Sequence, residues 1–303
     1  MDFDIICVGG GVAGMTSARY AARAGKTVLV IEKNVFGGQI TLSPEVENYP
    51  CIKVVSGNEL AESLFSQIKA QGVECVMANV TSVVNEGGFW RVDTDDKSYT
   101  CKAAIIATGA AHRLLGAEGE QQFTGRGVSY CAVCDGAFFR NRNVAVAGGG
   151  SSALQEALYL SSICKQVHLI HRRDEYRAEK SLIQKVDSTS NIYQHKSCVV
   201  ERINGDKLLT SISLKSLKSG ESSDLAVNGL FVSVGMKPQL SVFQSVIPLT
   251  DDGYANVDDS CCAASGIYVA GDCRKKAVRQ LTTAVSDGTV AAVNACKFID
   301  AEF

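Results

Sequence analysis

Residues 5–32 read IICVGGGVAGMTSARYAARAGKTVLVIE, and residues 144–171 read VAVAGGGSSALQEALYLSSICKQVHLIH. Both share one plan: an apolar run rich in β-branched residues, a glycine-rich turn, a helix of small and apolar residues, and a second apolar run. In the second stretch Leu154, Ala157 and Leu158 recur at helical spacing, giving one face to pack on a sheet. The turns are G-x-G-x-x-G at Gly9, Gly11 and Gly14, and G-x-G-x-x-A at Gly148, Gly150 and Ala153. The first glycine permits a tight turn, the second lets the backbone approach a pyrophosphate, and the third small residue brings helix close to strand. Amides at the helix N-terminus then receive the pyrophosphate in a field that favours negative charge. One such motif is a weak signal; two, each flanked by strand and helix, predict two dinucleotide-binding units in an α/β fold.

The residues at the end of each second strand separate the two ligands. VLVIE ends at Glu32, placed to accept hydrogen bonds from a ribose with free hydroxyls, as in the adenosine half of FAD or NAD. The second unit has His171, Arg172 and Arg173 at that point, with Arg177 one turn on and no acid. A carboxylate there would repel a 2′-phosphate, whereas guanidinium forks pair with it, so the second site reads as built for NADP(H).

The rest of the chain supplies a frame for two such units. Its 303 residues, 46% hydrophobic and 20% charged, suffice for two medium cores. A helix is expected around 58–70, with Leu60, Leu64, Phe65 and Ile68 on one face, then strands around 80–84, 89–94 and 102–108. The second half echoes this with strands around 198–203, 208–217 and 225–234. A third signal, GIYVAGDC from Gly266 to Cys273, precedes a helix expected from about Ala277. A strand ending in Gly-Asp against a helix returns the chain to the first domain and sets Asp272 near a flavin's ribityl and pyrophosphate. One domain is therefore expected to be inserted into the other, with crossings near 110–116 and 235–240 that form a hinge.

Composition narrows the partners. A formal charge of −2 offers no basic stripe for nucleic acid, and apolar runs such as LFVSVGM fall short of the roughly 18 residues that span a bilayer. The start, MDFDIICVGGG, carries acids where an export signal carries positive charge, and twelve cysteines fit a reducing compartment. A cytoplasmic protein is expected, with neither nucleic acid nor membrane as partner.

Two of the cysteines stand in SYCAVCDGAFF, from Ser129 to Phe139. The spacing of Cys131 and Cys134 suits a redox disulfide, half of a zinc site, or two buried thiols. A closed zinc site needs four ligands. The chain has no second C-x-x-C, and its four histidines lack H-x3-5-H spacing, so no metal is expected. The other ten cysteines, including Cys261, Cys262 and Cys273, are expected to be inert thiols.

The segments GGGVAG, GGQ (Gly37 to Gln39), ENYP (Glu47 to Pro50), IIATGA, CAVCDG, GGGSSA, HRRDEYRAE, VAGD and RQLTTA, in this order and spacing, resemble the low-molecular-weight thioredoxin reductases across essentially the whole chain. The resemblance implies two Rossmann-like, three-layer ββα domains. An FAD domain spans 1–112 and 241–303, an NADPH domain carrying the C-x-x-C spans 113–240, and the chain forms a homodimer with thioredoxin as substrate. By similarity the flavin is held by Gly9, Gly11, Val12, Ala13 and Gly14, by Glu32, Lys33, Gly38, Gln39, Asn48 and Val80, and by Ala107, Gly109, Gly271, Asp272, Arg279, Gln280 and Leu281. NADPH falls to Gly150, Ser151, Ser152, His171, Arg172, Arg173 and Arg177.

The same resemblance assigns Cys134 as the thiol nearer the flavin and Cys131 as the one that attacks thioredoxin. Electrons are expected to run from NADPH to FAD, into the Cys131–Cys134 disulfide, and out by thiol–disulfide exchange, with Asp135 handling protons. The competing reading of Asp135 is a turn-forming Asp-Gly. Dithiol and nicotinamide cannot both lie on the flavin while a protein docks, so the inserted domain is expected to rotate between half-reactions. Ala137 departs from the aromatic common in the family, leaving Phe138 and Phe139 to meet the partner. Relatives that take electrons from ferredoxin, or that use oxygen to oxidise dithiols, typically lack the arginines present here; a related flavoprotein reductase using ferredoxin or serving another dithiol protein is the alternative. Neutral residues at Arg172 and Arg173 are expected to weaken NADPH by a few kcal/mol and NADH far less. Dissociation constants for the two nucleotides test this, and equal losses would remove the 2′-phosphate assignment.

Overall fold

The computed structural model describes residues 1–43 and 45–303. Contacts divide them into two units, Met1–Ala111 with Lys237–Phe303, and His112–Met236.

The first unit opens with strand β1 (Phe3–Val8), helix α1 (Val12–Arg23) and strand β2 (Val28–Glu32). Helix α2 (Gly57–Lys69) is next, started by a reciprocal capping box between Ser56 and Glu59. Strands β3 (Glu74–Met77), β4 (Val80–Asn85), β5 (Trp90–Thr94) and β6 (Ser98–Ile106) complete the segment. Strand alternation sends the apolar run of β1 to two cores. Ile5 and Cys7 face a helical layer with Val28, Val30, Ala103 and Ile105, while Ile6 and Val8 join Leu29, Ile31, Trp90 and Val92 on the other side. Each fully buried aliphatic side chain contributes about 1.5–3 kcal/mol.

The second unit begins at the first crossing, where β7 (Ala110–His112) lies. After the short helix α3 (Glu120–Phe123) come β8 (Val128–Ser129) and α4 (Ala132–Asp135), then β9 (Asn143–Ala147), α5 (Ser151–Ser161) and β10 (Gln166–His171). The chain continues through helix α6 (Lys180–Ser188), β11 (Ile192–Lys196) and the antiparallel trio β12 (Cys198–Gly205), β13 (Leu209–Ser216) and β14 (Ser222–Ala226). β15 (Gly229–Val232) and β16 (Met236–Pro238) end the unit. The main sheet runs β11-β10-β9-β15-β8, all parallel. Val144, Val146, Val167 and Leu169 face the helices; Ala145, Ala147 and Ile170 face the antiparallel trio. The strand expected over 225–234 is in fact two. Asn228 turns the chain, its N–H donating to Asn143 O (2.8 Å), so the first piece closes the trio and the second enters the parallel sheet.

The return segment supplies β17 (Cys262–Ala264), β18 (Ile267–Val269) and the long helix α7 (Leu281–Glu302). β18 pairs parallel with β6, so the first unit's sheet runs β17-β18-β6-β1-β2-β3, with the β4–β5 hairpin continuing from β6. α7 starts at Leu281 rather than near Ala277, because Gln280 and Thr283 form its capping box. The crossings β7 and β16 pair as a two-stranded ribbon.

In the second unit His168 and His195 sit side by side, Nδ1 to Nε2 at 3.0 Å, and His168 stacks on Tyr193. Burial, then the neighbouring His195, pushes His168 down to about 4. An unfolded histidine titrates near 6.5, so the unfolded chain takes up the proton first, and this pair's contribution is lost as pH falls from about 6.5 toward about 4. Glu156, which burial pushes up to about 7, slopes the opposite way. The expectation is therefore comparative: the stability advantage of the parent over His168→Gln, read from urea midpoints, is larger at pH 7.5 than at pH 5. A pH-independent difference would show that the pair does not titrate in this way.

Candidate functional site

The two glycine turns are the same object built twice. In the first, the N–H of Gly9 donates to Ile31 O (2.7 Å), Ala107 N–H to Val8 O (2.7 Å) and Gly37 N–H to Gly10 O (2.8 Å). In the second, Gly148 donates to Ile170 O (2.9 Å), Ser233 to Ala147 O (2.8 Å) and Arg177 to Gly149 O (2.7 Å). Gly9 has φ 107, and a Cβ there would overlap the carbonyl of Ala107; one at Gly14 would overlap the carbonyl of Gly9. Gly11 is different. Its φ is −74, and a Cβ would meet nothing nearer than Gly37 O at 3.9 Å. It caps α1 without a side-chain hydrogen bond, so the first-turn amides are left for a ligand.

Those amides open on a cavity of about 430 Å³ within the first unit. Gly11, Val12 and Ala13 form its floor, Glu32 and Lys33 one end, and Gly38 and Gln39 a flank, with Gln39 donating to Ala110 O. Ala107, Gly109, Gly271, Asp272, Gln280 and Leu281 complete it. Glu32 accepts from Gly10 N–H (2.7 Å) and Asn34 N–H (2.9 Å), which fixes its carboxylate at the rim. Val80 lines an adjoining cavity of about 280 Å³ with Gly9, Glu32 and Lys33. Arg279 and Asn48 stand one contact back. Arg279 lies over the Tyr254 ring (4.3 Å) and donates to Asp272 O (3.3 Å), and Asn48 donates to Gln280 Oε1 (3.3 Å).

Asp272 gives the cavity its sharpest chemical demand. Its Oδ1 is buried with no protein partner, and burial raises the carboxyl above the ordinary range against the pull of Lys276 and Arg279. A buried acceptor in that condition calls for a hydroxyl donor. The polyhydroxylated ribityl–pyrophosphate portion of FAD fits these walls: amides for the diphosphate, Asp272 for hydroxyls, Glu32 for a ribose.

The second unit varies the theme at one position. Where Glu32 stands in the first unit, the His171 ring lies against Gly149 so closely that a Cβ there would overlap it, and His171 Nε2 meets Glu175 O at 3.1 Å. Burial and the nearby arginines hold the imidazole below its usual range, so it offers no negative charge. Arg172 and Arg173 are exposed beyond β10, and Arg177 is pinned to the turn by a bridge to Gly150. Ser151 and Ser152 begin α5, both exposed.

The same unit carries the cysteines. Cys131 and Cys134 form a disulfide across the first turn of α4, and Cys134 N–H donates to Cys131 Sγ (3.2 Å). Asp135 N–H donates to Cys131 O (3.1 Å). The Ser129 hydroxyl donates to Asp135 Oδ2 (2.6 Å) and accepts from Cys131 N–H (3.1 Å), so one serine ties acid to dithiol. Burial raises Asp135, with Ser129 opposing. Val133, between the cysteines, is 57% exposed. Phe139 turns inward, edge-on to Phe231 at 5.4 Å and packed on Gly229, and Phe138 is likewise only half-exposed.

Of the other ten thiols, Cys51 and Cys262 are exposed, so burial does not account for all of them. Cys273 is fully buried and pushed up to about 12, and Cys261 is buried and pushed up to about 11. Ser129, which ties Asp135 to Cys131, and Gln239, which lines the cavity, join the site without a sequence signal, and as titratable groups the half-buried Glu156 of α5 and the buried Asp287 of α7 likewise have none. A serine before C-x-x-C, a glutamine in a return loop and acids within helices carry no motif.

A model of the pyridine nucleotide-disulphide oxidoreductase family matches residues 3–288. The chain is 41% identical to a thioredoxin reductase of Listeria innocua over 300 residues, 98% of this chain and 94% of the relative. It is 40% identical to one of Treponema pallidum over 301 residues, covering 99% and 98%. The crystal structure of thioredoxin reductase from Streptococcus pyogenes superposes with a TM-score of 0.95 at 39% identity, covering 99% of this chain and 98% of that one.

The contrast between Gly11 and Gly14 is testable. Gly11→Ala should lower the unfolding free energy by no more than about 1 kcal/mol, the scale of an N-cap preference, yet weaken FAD. Gly14→Ala should destabilise by about 1–3 kcal/mol through overpacking. Urea unfolding of the flavin-free protein and flavin fluorescence titration read the two effects; parental FAD affinity in Gly11→Ala would remove the pyrophosphate from this turn.

Proposed function

The chain belongs to the pyridine nucleotide-disulphide oxidoreductase family, and we propose that it works as a thioredoxin-disulfide reductase, using NADPH and FAD to reduce the disulfide of thioredoxin. The carrying observation is the Cys131–Cys134 disulfide with a half-buried acid directly behind it, Asp135, held by the Ser129 hydroxyl at 2.6 Å. In this reading the FAD domain, 1–112 with 241–303, corresponds to the first unit and the NADPH domain, 113–240, to the second, with bounds that differ by a few residues at the crossings. Rotation on the two crossings separates the half-reactions.

Each group of residues has its own share of the work. Gly11 to Gly14 receive the FAD diphosphate, Glu32 a ribose, and Asp272 hydroxyls of the linker, with Gln39, Asn48, Arg279 and Gln280 supporting. When bound, FAD supplies the two-electron relay between a nicotinamide and a disulfide. Gly150 to Ser152 receive the diphosphate of NADPH, and Arg172, Arg173 and Arg177 its 2′-phosphate. In the reduced dithiol, Cys131 as thiolate attacks one sulfur of the partner disulfide, and that S–S bond breaks. The Cys134 thiolate then attacks Cys131 Sγ, which breaks the mixed disulfide, restores the internal disulfide and releases both partner sulfurs reduced. Asp135, raised by burial, keeps its proton to higher pH than an ordinary carboxyl and so can deliver it to a departing thiolate. Phe138 and the exposed Val133 offer apolar surface beside the dithiol.

The reading includes a homodimer and a cytoplasmic setting. The family resemblance supports the first, and ten free cysteines support the second. No helix among the described residues is long and apolar enough to cross a membrane.

Flavin absorption that bleaches with NADPH and recovers on adding oxidised thioredoxin tests the whole scheme; failure to recover would sink it. Cys134→Ser is expected to bleach normally and lose transfer to thioredoxin almost entirely, measured by stopped-flow absorbance. Retained transfer would refute the dithiol relay.

A further inference from the structure

Helix α7 is lined by small residues where it meets α1: Ala284, Gly288, Ala291, Ala292 and Ala295 are buried. One buried member of this stripe is charged. Asp287 is 8% exposed, and a carboxylate in such a place persists only if its oxygens are paired. All its donors come from one short turn, directly after β18. Gly271 N–H donates to Oδ2 at 3.0 Å, Arg274 Nη1 to Oδ1 at 2.6 Å, and Lys276 Nζ to Oδ2. Arg274, itself 7% exposed, is held from its far side by the carbonyl of Asp258 at 2.7 Å.

That turn carries Asp272, whose unpartnered Oδ1 is the most demanding acceptor in the cavity. It starts at Gly271, in left-handed backbone (φ 83) that a side chain resists, and a Cβ on Gly271 would come to 2.9 Å of Ala13 Cβ. The next residue of α7, Gly288, packs so closely on Ala13 that a Cβ there would overlap its carbonyl, and the Ser17 hydroxyl lies 2.9 Å from Ala13 O and 3.0 Å from Gly288 O. Asp287 and Gly288 thus form one node that touches both the first glycine turn and the Asp272 turn.

Resting on the reading of the first unit as an FAD domain, we propose that Asp287 is a positioning residue for the flavin. By gathering Gly271, Arg274 and Lys276 on one carboxylate, it holds the Asp272 turn at the height at which Asp272 meets a ligand hydroxyl. Asp287 touches no ligand itself. Its effect on the flavin passes through the backbone of Gly271 and the two cations, so it should appear as flavin affinity and flavin spectrum rather than as chemistry at the dithiol.

The test is a double-mutant cycle on the holoenzyme with Asp287→Asn and Lys276→Met. Asp287→Asn keeps the volume but replaces one acceptor with a donor that faces donors. FAD dissociation is expected to rise at least tenfold, with altered vibronic structure in the flavin band and an unchanged far-ultraviolet dichroism. Lys276→Met removes one donor and leaves Asp287 paired, so a smaller rise is expected. The double variant should lose less than the product of the two single effects, since both act through one carboxylate. If Asp287→Asn does not fold, Lys276→Met alone decides: parental affinity and spectrum overturn the proposal. It is also overturned if Asp287→Asn retains FAD within twofold, or if the effects simply multiply. Asp272→Ala separates the two levels. Flavin lost from Asp272→Ala but kept in Asp287→Asn sinks the role of Asp287 alone, whereas a parent protein that never takes up FAD sinks the domain reading and the role of Asp287 with it.

Discussion

Two backbone collisions avoided by glycine set the terms for the first unit. The carbonyl of Ala107 stands where a Cβ of Gly9 would be, and the carbonyl of Gly9 stands where a Cβ of Gly14 would be. Helix α1 is therefore drawn close to the sheet, its turn hydrogen-bonded to β2 at Ile31 and lying against Ala107 just past β6. Any group held on its first-turn amides takes its position from main chain rather than from side chains. Gly148 repeats the arrangement in the second unit, against the carbonyl of Ser233 and Ala153 Cβ.

With the frame held constant, the difference between the units is concentrated at the end of the second strand. Glu32 uses two carboxylate oxygens to tie down Gly10 and Asn34 and still presents acceptors to the cavity. His171 occupies the matching place as a flat ring on Gly149, with three arginines nearby and no acceptor charge. The two units thus differ in charge at one register position, a carboxylate in the first and an uncharged ring among arginines in the second.

Much of this was legible in the residues because it rests on short-range rules. The glycine turns, the strands and helices flanking them, and the helix over 58–70 with its apolar face all derive from local spacing. The features that escaped reading depend on contacts far apart in sequence. The break at Asn228 exists because that residue joins β9, more than eighty positions earlier. Phe139 looks like a surface aromatic until Phe231 and Gly229 are beside it. Asp287 looks like a stray acid in an alanine-rich helix, and only the fold brings Gly271, Arg274 and Lys276 onto it. The acid of Cys-x-x-Cys-Asp was visible, but not the serine that holds it.

The first unit is assembled from both ends of the chain, and this matters during synthesis. Strand β18, which flanks β6, and helix α7, which covers α1, come after the whole inserted unit in chain order. Until they are made, the face bearing Ala13, Met15 and Ala18 lacks the alanines and Ile299 that complete its core. The contiguous second unit has no such wait, since all its strands are translated before residue 240. Order of emergence thus favours the inserted unit folding first, with the core of the first unit completed only when its closing helix arrives.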